Sequence, residues 1–383
     1  MYINNSGNYD QLSYKVARKD QGMKTRYLTI REIRVRAVRV PMARPHQTAT
    51  GTISESPLVL TDVVTEDGIV GHSIVFTYTS AALKPTADLI KNLEPLIQGR
   101  PLAPAEITDG LSRRFRLLGC QGLVAMAVSA LDMAMWDALA RNHSVSLVHL
   151  LGAAEKPIPA YGAVGHDGVA ECARVAEAWA KEGFKGVKAK IGYPSVREDI
   201  EVIRAIHKSI EQDMAVMVDY NQSLSPAEAV QRLRQLEDEG LTWVEEPVLA
   251  HDFRGHALVA CEIKTPIQCG ENWWGPNDVR TAIEARASDY LMPDVMKIGG
   301  VTGWLRVAAL AAAYDMPVSN HLWPEISAQL MCATPTAHYL EYADWWNPVL
   351  EEPLRVKNGM ASVEGMIGTG ISWNEQAVAQ LLV

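Results

Sequence analysis

Residues 183–210 read "GFKGVKAKIGYPSVREDIEVIRAIHKSI". The first ten residues read as an interior strand, with Val187, Ala189 and Ile191 as apolar neighbours of Lys188 and Lys190. The rest, from Val196, reads as a helix. The same unit recurs down the chain. Strands "MAVMVDYN", "LTWVEEPV", "PIQCGEN", "DYLMPDVMKIGG" and "MPVSNHLW" are each followed by a helical stretch, and "HYLEYAD" comes last. Repeated βα units with apolar strands predict a parallel sheet covered by helices. One titratable residue stands near the C-terminal end of each strand: Lys190, Asp219, Glu245, Glu271, Asp294, His321 and Glu341. In a closed βα barrel those ends converge on one mouth. The pattern therefore predicts a TIM-type barrel over residues 156–360. Seven strands are visible, and an eighth short strand is expected before or after them.

Outward from the barrel, the texture changes. "IREIRVRAVRVPM" alternates apolar and basic residues as a strand with one wet face does. "PLVLTDVVTEDGIVGHSIVFTY" reads as a hairpin turning at Asp67-Gly68. Three helical stretches follow, the last being "QGLVAMAVSALDMAMWDALAR", which reads as a buried core helix. Residues 29–155 are thus expected to form an α+β domain. Residues 361–383 are expected to pack back on it, and residues 1–28 to be a flexible extension.

Composition bounds the function classes. The 383 residues are 48% hydrophobic and 21% charged, as in globular proteins. A net charge of −9 argues against general nucleic-acid binding. Five scattered cysteines without zinc-ligand spacing point to a reducing compartment. No apolar run is expected to reach the roughly 18 residues that span a bilayer. The N-terminus lacks the apolar block of a secretion signal. No membrane partner and a cytoplasmic location are the expectations.

Asp219, Glu245 and Glu271 end three consecutive strands. Three carboxylates brought together repel unless a cation sits among them, and an all-oxygen set suits Mg²⁺ better than Zn²⁺. The alternative is three unrelated loop acids. In "EEP" neighbouring residues point oppositely, so Glu245 is assigned inward and Glu246 to a basic partner.

Lys188 and Lys190 share one strand face. At ~6.6 Å and an effective dielectric of about 20, their charges repel by roughly 2.5 kcal/mol. Repulsion and burial both lower a lysine's pKa, so one amine is expected to be neutral enough to act as a general base. The alternative is a structural pair, each lysine bridged to an acid across the barrel. On the opposite wall, an aspartate behind a histidine fixes its tautomer and raises its basicity, which suits Asp294 and His321. Lys297 is expected to form an ion pair nearby, and Glu341 to act as an acid or hydrogen-bond donor. Two bases flanking a Mg²⁺ site fit removal of a proton α to a carboxylate, with return from the other side. The expected partner is a small carboxylic acid.

The motifs "VKAKIGYP", "MVDYNQSL", "TWVEEP", "GENWWGP", "MPDVMKIGGVTGW", "SNHLWPEISAQL" and "ATPTAHYLE" resemble the enolase superfamily, specifically its mandelate racemase group. The resemblance runs from about Ile30 to the C-terminus. It implies an α+β capping domain over a modified (β/α)7β barrel, commonly in homo-oligomers such as octamers. It implies Asp219, Glu245 and Glu271 as Mg²⁺ ligands, and Lys190 and the His321–Asp294 pair as bases for opposite enantiomers. It further implies Lys188 as electrophilic partner of the substrate carboxylate, Glu341 as an acid sharing a proton with it, and Asn221 as a contact to the α-hydroxyl. Two positions depart. Ala163 stands where the group's namesake has a serine at the substrate carboxylate. His46 stands where that enzyme has a small apolar residue against the substrate ring, while Ile53 and Tyr78 keep apolar and aromatic character. His46 thus points to a more polar or differently shaped substrate, or else to solvent.

Racemisation of a 2-hydroxy acid is the leading expectation. An acid-sugar dehydratase on the same scaffold is the alternative, with His321 protonating a leaving β-hydroxyl. A barrel glycosidase using Glu245 and Glu271 leaves both lysines unexplained. A catalytically silent barrel conflicts with a full set of catalytic positions.

Overall fold

The computed structural model describes residues 27–48 and 51–383. All but the last two residues of the expected 1–28 extension lie outside the described residues. An antiparallel meander opens the chain: β1 (Ile30–Thr48), β2 (Gly51–Thr65) and β3 (Val70–Phe76), turning between β2 and β3 at Asp67-Gly68. Val38 faces Leu58, and Leu58 faces Phe76, so one sheet face is continuous apolar surface. Five helices follow: α1 (Ser80–Asn92), α2 (Glu94–Ile97), α3 (Pro104–Arg114), α4 (Gly122–Asn142) and α5 (Leu147–Leu150). Gly71 lets α4 approach β3, because a Cβ there would lie 2.0 Å from the Ala134 carbonyl oxygen.

Contrary to the expectation, α4 is long and apolar enough to cross a membrane by length and composition. Its 21 residues instead lie largely buried between the meander, α1, α3 and the barrel.

The second layer is the βα array. It runs β4 (Ile158–Val164), α6 (Gly168–Lys181), β5 (Gly186–Lys190), α7 (Val196–Ser209), β6 (Ala215–Asp219), α8 (Pro226–Leu233) and β7 (Trp243–Glu245). It continues through α9 (Phe253–Glu262), β8 (Ile267–Cys269), α10 (Gly275–Ala285), β9 (Tyr290–Leu291), α11 (Gly300–Ala313), α12 (Pro324–Cys332) and β10 (Leu340–Tyr342). Strands β4 to β9 pair in order and in parallel, and β10 pairs with β4. The expected extra strand is therefore β4, before the others. This is the modified (β/α)7β architecture.

One expected strand is not regular. "MPVSNHLW" between α11 and α12 makes only single bridges among the described residues, Val318 to Leu291 and to Ala337, and His321 to Asp294. Pro317 has no N–H for a ladder. The Asn320 side chain takes over the backbone's role, accepting from the Glu341 N–H at 2.9 Å and donating to the Leu322 carbonyl at 2.6 Å. Tyr161, Met217, Trp243 and Met292 plug the barrel beneath the mouth.

After β10, β11 (Arg355–Lys357) and β12 (Met360–Ser362) form a hairpin on β4. Helix α13 (Glu375–Leu381) then lies against β1, where Leu382 bridges Val38 and the Trp373 indole donates to Asp62 at 2.6 Å.

Asp137 ties these parts together. Fully buried on α4, it accepts from the Arg141 guanidinium at 2.6 Å, the His72 N–H at 2.8 Å, and the Thr369 hydroxyl at 2.8 Å. Removing it takes the carboxylate from the half-buried Arg141 guanidinium and leaves the His72 N–H and the Thr369 hydroxyl without their acceptor. Asp137→Ala is expected to cost about 3 kcal/mol, read as a lowered urea midpoint at unchanged m-value.

Candidate active site

Parallel register builds the site. Lys190 pairs with Asp219, and Asp219 with Glu245, so three adjacent strands present one row of charge at the barrel mouth. Lys188 lies one pleat lower on the same face of β5, level with Ala163 of β4. Glu271 follows Gly270, whose φ of +140° and 3.0 Å approach to the Met292 backbone leave no room for a side chain. Residues in left-handed backbone follow the strands: Asn221, Gln222, Glu246, Leu322 and Trp323. Such strain gathers where side chains must be aimed.

One oxygen from each of Asp219, Glu245 and Glu271 lies within 4.8 Å of the others, and all three residues are buried. Lys188 Nζ stands 2.5 Å from Glu245 Oε1, 2.7 Å from Glu341 Oε1 and 3.8 Å from Asp219 Oδ2. Lys190 Nζ contacts Asp219 Oδ2 directly. Four buried carboxylates thus surround two buried ammonium groups, and the deficit equals the charge of one divalent cation. The titration behaviour follows. Burial pushes Glu245 well up, opposed by Lys188 and reinforced by Asp219, Glu271 and Glu341. Burial also raises Glu271, but His321 and Lys190 outweigh it and hold that carboxyl well below the usual range. No hydrogen bond satisfies Glu271 Oε2, although it is buried. Closely spaced hard oxygens, one lacking a donor, fit Mg²⁺.

His321 completes the opposite wall. Its Nδ1 lies 2.7 Å from Asp294 Oδ2, and its Nε2 lies 3.3 Å from Glu271 Oε2. Asp294 is pinned by the Met296 N–H at 2.7 Å and the Trp323 indole at 2.9 Å. Lys190, Glu271 and His321 line one pocket of about 750 Å³ with His46, Ile53, Tyr78 and Asn221. Its apolar flank adds Phe76, Leu322 and Trp345. His46 and Ile53 come from the tip of the β1–β2 hairpin, where they are cross-strand partners. The capping domain thus closes the barrel mouth.

A hydrogen-bond chain lies behind the acids. The Lys297 ammonium donates to Asn272 Oδ1 at 2.7 Å. Asn272 Nδ2 donates to Glu246 Oε2 at 2.7 Å and to Glu271 Oε1 at 3.0 Å.

Known proteins agree with this construction. Residues 30–152 match the model of the mandelate racemase/muconate lactonizing enzyme N-terminal domain, and residues 171–377 match the enolase C-terminal domain-like model. The chain belongs to the mandelate racemase/muconate lactonizing enzyme family of the enolase superfamily. A Bradyrhizobium enolase solved with magnesium and mandelic acid is 45% identical, with a TM-score of 0.90 over 94% of this chain and 99% of that one. L-Talarate dehydratase from Polaromonas, solved with Mg and L-glucarate, is 27% identical, with a TM-score of 0.85 over 93% and 98%. L-Talarate/galactarate dehydratase of Salmonella typhimurium is 27% identical over 97% of this chain and 96% of its own.

Several expectations need correction. Neither lysine is shifted downward in this arrangement. Burial lowers Lys188 and Lys190, but Glu245 and Glu341 outweigh it for the first and Asp219 for the second. The lysine–lysine repulsion is real, yet smaller than the pull of touching carboxylates. Glu341 is likewise held as a carboxylate: burial raises it, while Lys188 and His321 pull it below its ordinary value. Glu246 has an amide, Asn272, rather than a base as partner. Burial, then Glu271 and Asp219, push it up to about 8. Among the described residues Lys297 has no carboxylate ion pair; it sits over the rings of Tyr78 at 4.8 Å and Trp274 at 5.9 Å. Ala163 lines a neighbouring recess of about 240 Å³ rather than the main pocket, the two sharing His46 and Trp345. His46 does not point to solvent; it is 9% exposed. Asn272 and Trp345 were absent from the expected site. Asn272 sits beside a candidate ligand in "GEN", which was the available signal. Trp345 lies beyond the last strand and carried none.

Two outcomes are expected. Asn272→Leu leaves Glu271 and Glu246 without their shared donor and should weaken Mg²⁺ binding about 10- to 100-fold in calorimetry. Burial, reinforced by the positive charges of Lys190 and Lys188, pushes the His46 imidazole down to about 3. The unfolded chain therefore binds a proton that the folded chain refuses between pH 6.5 and 3. That contribution is complete above pH 6.5 and is lost as pH falls. From pH 7 to pH 5 the parent should lose about 2 kcal/mol more than His46→Gln, measured by urea unfolding.

Proposed function

We propose that this enzyme abstracts the α-proton of a 2-hydroxy carboxylate, forms an enediolate, and returns the proton from the opposite side. Racemisation of a mandelate-like acid is the leading outcome. The observation that carries this reading is the shared pocket: Lys190 and His321 line one cavity with Glu271, beside Asp219 and Glu245. The apolar flank of Ile53, Phe76, Leu322 and Trp345 suits an aryl side chain. The Bradyrhizobium relative, solved with magnesium and mandelic acid, supports the same substrate class.

Asp219, Glu245 and Glu271 would hold Mg²⁺, which when bound would supply Lewis-acid stabilisation of developing carboxylate charge. Lys190, whose positive charge Lys188 on the same strand face opposes, takes the proton from one face of the α-carbon. Lys188 remains cationic and faces the substrate carboxylate. His321 takes the proton from the other face at Nε2, because Asp294 holds the proton of Nδ1. Asn221 contacts the α-hydroxyl, and Glu341 holds the Lys188 ammonium at 2.7 Å for the substrate carboxylate.

Dehydration of an acid sugar is the second reading. Gln222, Ser223, Asn272 and His46 make part of the wall polar, and the Salmonella dehydratase matches nearly full length. Family membership leaves the glycosidase reading without support. A cytoplasmic homo-oligomer, with octamers the first state to look for by sedimentation, completes the proposal.

Incubation in D₂O tests the two bases. The parent should exchange the α-proton of both mandelate enantiomers, with exchange abolished by EDTA and restored by Mg²⁺. His321→Asn should keep exchange from one enantiomer and lose at least about 100-fold from the other. Loss from both, or neither, would overturn the two-base assignment. A 2-keto product from aldonic or aldaric acids, without α-exchange of mandelate, would favour the dehydratase.

A further inference from the structure

The α-proton chemistry leaves His46 without a task. Its ring lies 5.1 Å from that of Trp345, tilted by 46°. Trp345 in turn stands edge-on to Phe76 at 5.7 Å, and Phe76 packs on Tyr78 at 4.7 Å. With Ile53, its cross-strand partner, the histidine forms the capping-domain wall of the pocket. Apart from Thr52, its neighbours on this wall are apolar or aromatic, and it also borders the recess that Arg44, Asp167 and Glu171 line. Among the described residues no group hydrogen-bonds either ring nitrogen, and neither nitrogen is sealed from open space. With its pKa near 3 the imidazole is neutral at physiological pH, so it offers one N–H donor and one bare acceptor nitrogen. A ring nitrogen that borders a cavity can bond a polar group of whatever fills it.

A hydroxyl group is both donor and acceptor and matches either nitrogen. We propose that His46 recognises a hydroxyl on the side chain of the substrate, and that the preferred substrate is an aryl 2-hydroxy acid carrying a ring hydroxyl. The flank of Ile53, Phe76, Leu322 and Trp345 takes the ring, and His46 reads its polar edge. This inference rests on the α-proton reading above. The contrary view is that His46 only fills space against Trp345.

The test measures kcat/KM for Mg²⁺-dependent α-deuterium exchange of mandelate, 3-hydroxymandelate and 4-hydroxymandelate by the full chain. The parent should favour one hydroxylated acid over mandelate by about tenfold, the scale of one added hydrogen bond. The difference should sit mainly in KM, since the hydroxyl is remote from the reacting carbon. His46→Val should bring the ratio to near one. His46→Gln, which keeps a donor and an acceptor, should retain part of it. A parent that handles mandelate as well as both hydroxylated acids overturns the inference, and so does a preference that survives His46→Val. If mandelate exchanges without preference, only this inference falls. If no acid exchanges, the α-proton reading falls and takes it along. The parent's own ratio decides even if the valine variant fails to fold.

Discussion

Placing like charges side by side in a dry barrel mouth is the constraint on which the rest depends. The parallel register sets Asp219 beside Glu245, and the glycine before Glu271 adds a third carboxylate. Such a row is strongly unfavourable alone. Lys188 and Lys190 offset part of it through direct contacts with Glu245, Glu341 and Asp219. The charge left over calls for a cation. The aromatic plug of Tyr161, Trp243 and Met292 beneath the mouth keeps water from relieving the repulsion from below. Stability and chemistry therefore pull in different directions here, as buried ion networks commonly do.

The capping domain contributes shape rather than charge. Its meander is held by α4 from behind and by the C-terminal segment along β1, with Asp137 and Asp62 as buried polar ties. What it delivers to the barrel is one hairpin tip with His46 and Ile53, and one turn with Tyr78. The acids stand on the barrel rim, and His46, Ile53 and Tyr78 stand on the cap, while one continuous apolar core runs through both.

Much of the barrel side was legible in the chain. Lys190, Asp219, Glu245, Glu271, Asp294, His321 and Glu341 stood at strand ends, and strand ends in a βα barrel share one mouth by topology. Alternation on a strand placed Lys188 and Lys190 on one face. The failures have a common cause. The lysine shifts depend on how close each ammonium comes to a carboxylate on another strand, and Coulomb energy varies too steeply with distance for spacing to reveal it. Glu246 was given a basic partner because the left-handed turn that carries it to Asn272 has no sequence mark. The irregular stave around Val318 reads as a strand because it holds a strand's place in the alternation of βα units; Asn320 replaces its ladder from the side.

The chain's own order determined the architecture: period-two apolar runs alternating with helical ones admit few packings, and the parallel barrel is one. It also determined which residue types reach the mouth. Only the tertiary structure decided the environment of each of them. Whether His46 meets water or the pocket, which nitrogen of His321 faces the cavity, and which acid touches which lysine are set by contacts between segments far apart in the chain. Local sequence encodes backbone preference and periodicity, whereas solvation and Coulomb energy belong to whatever surrounds a group once the chain has closed on itself.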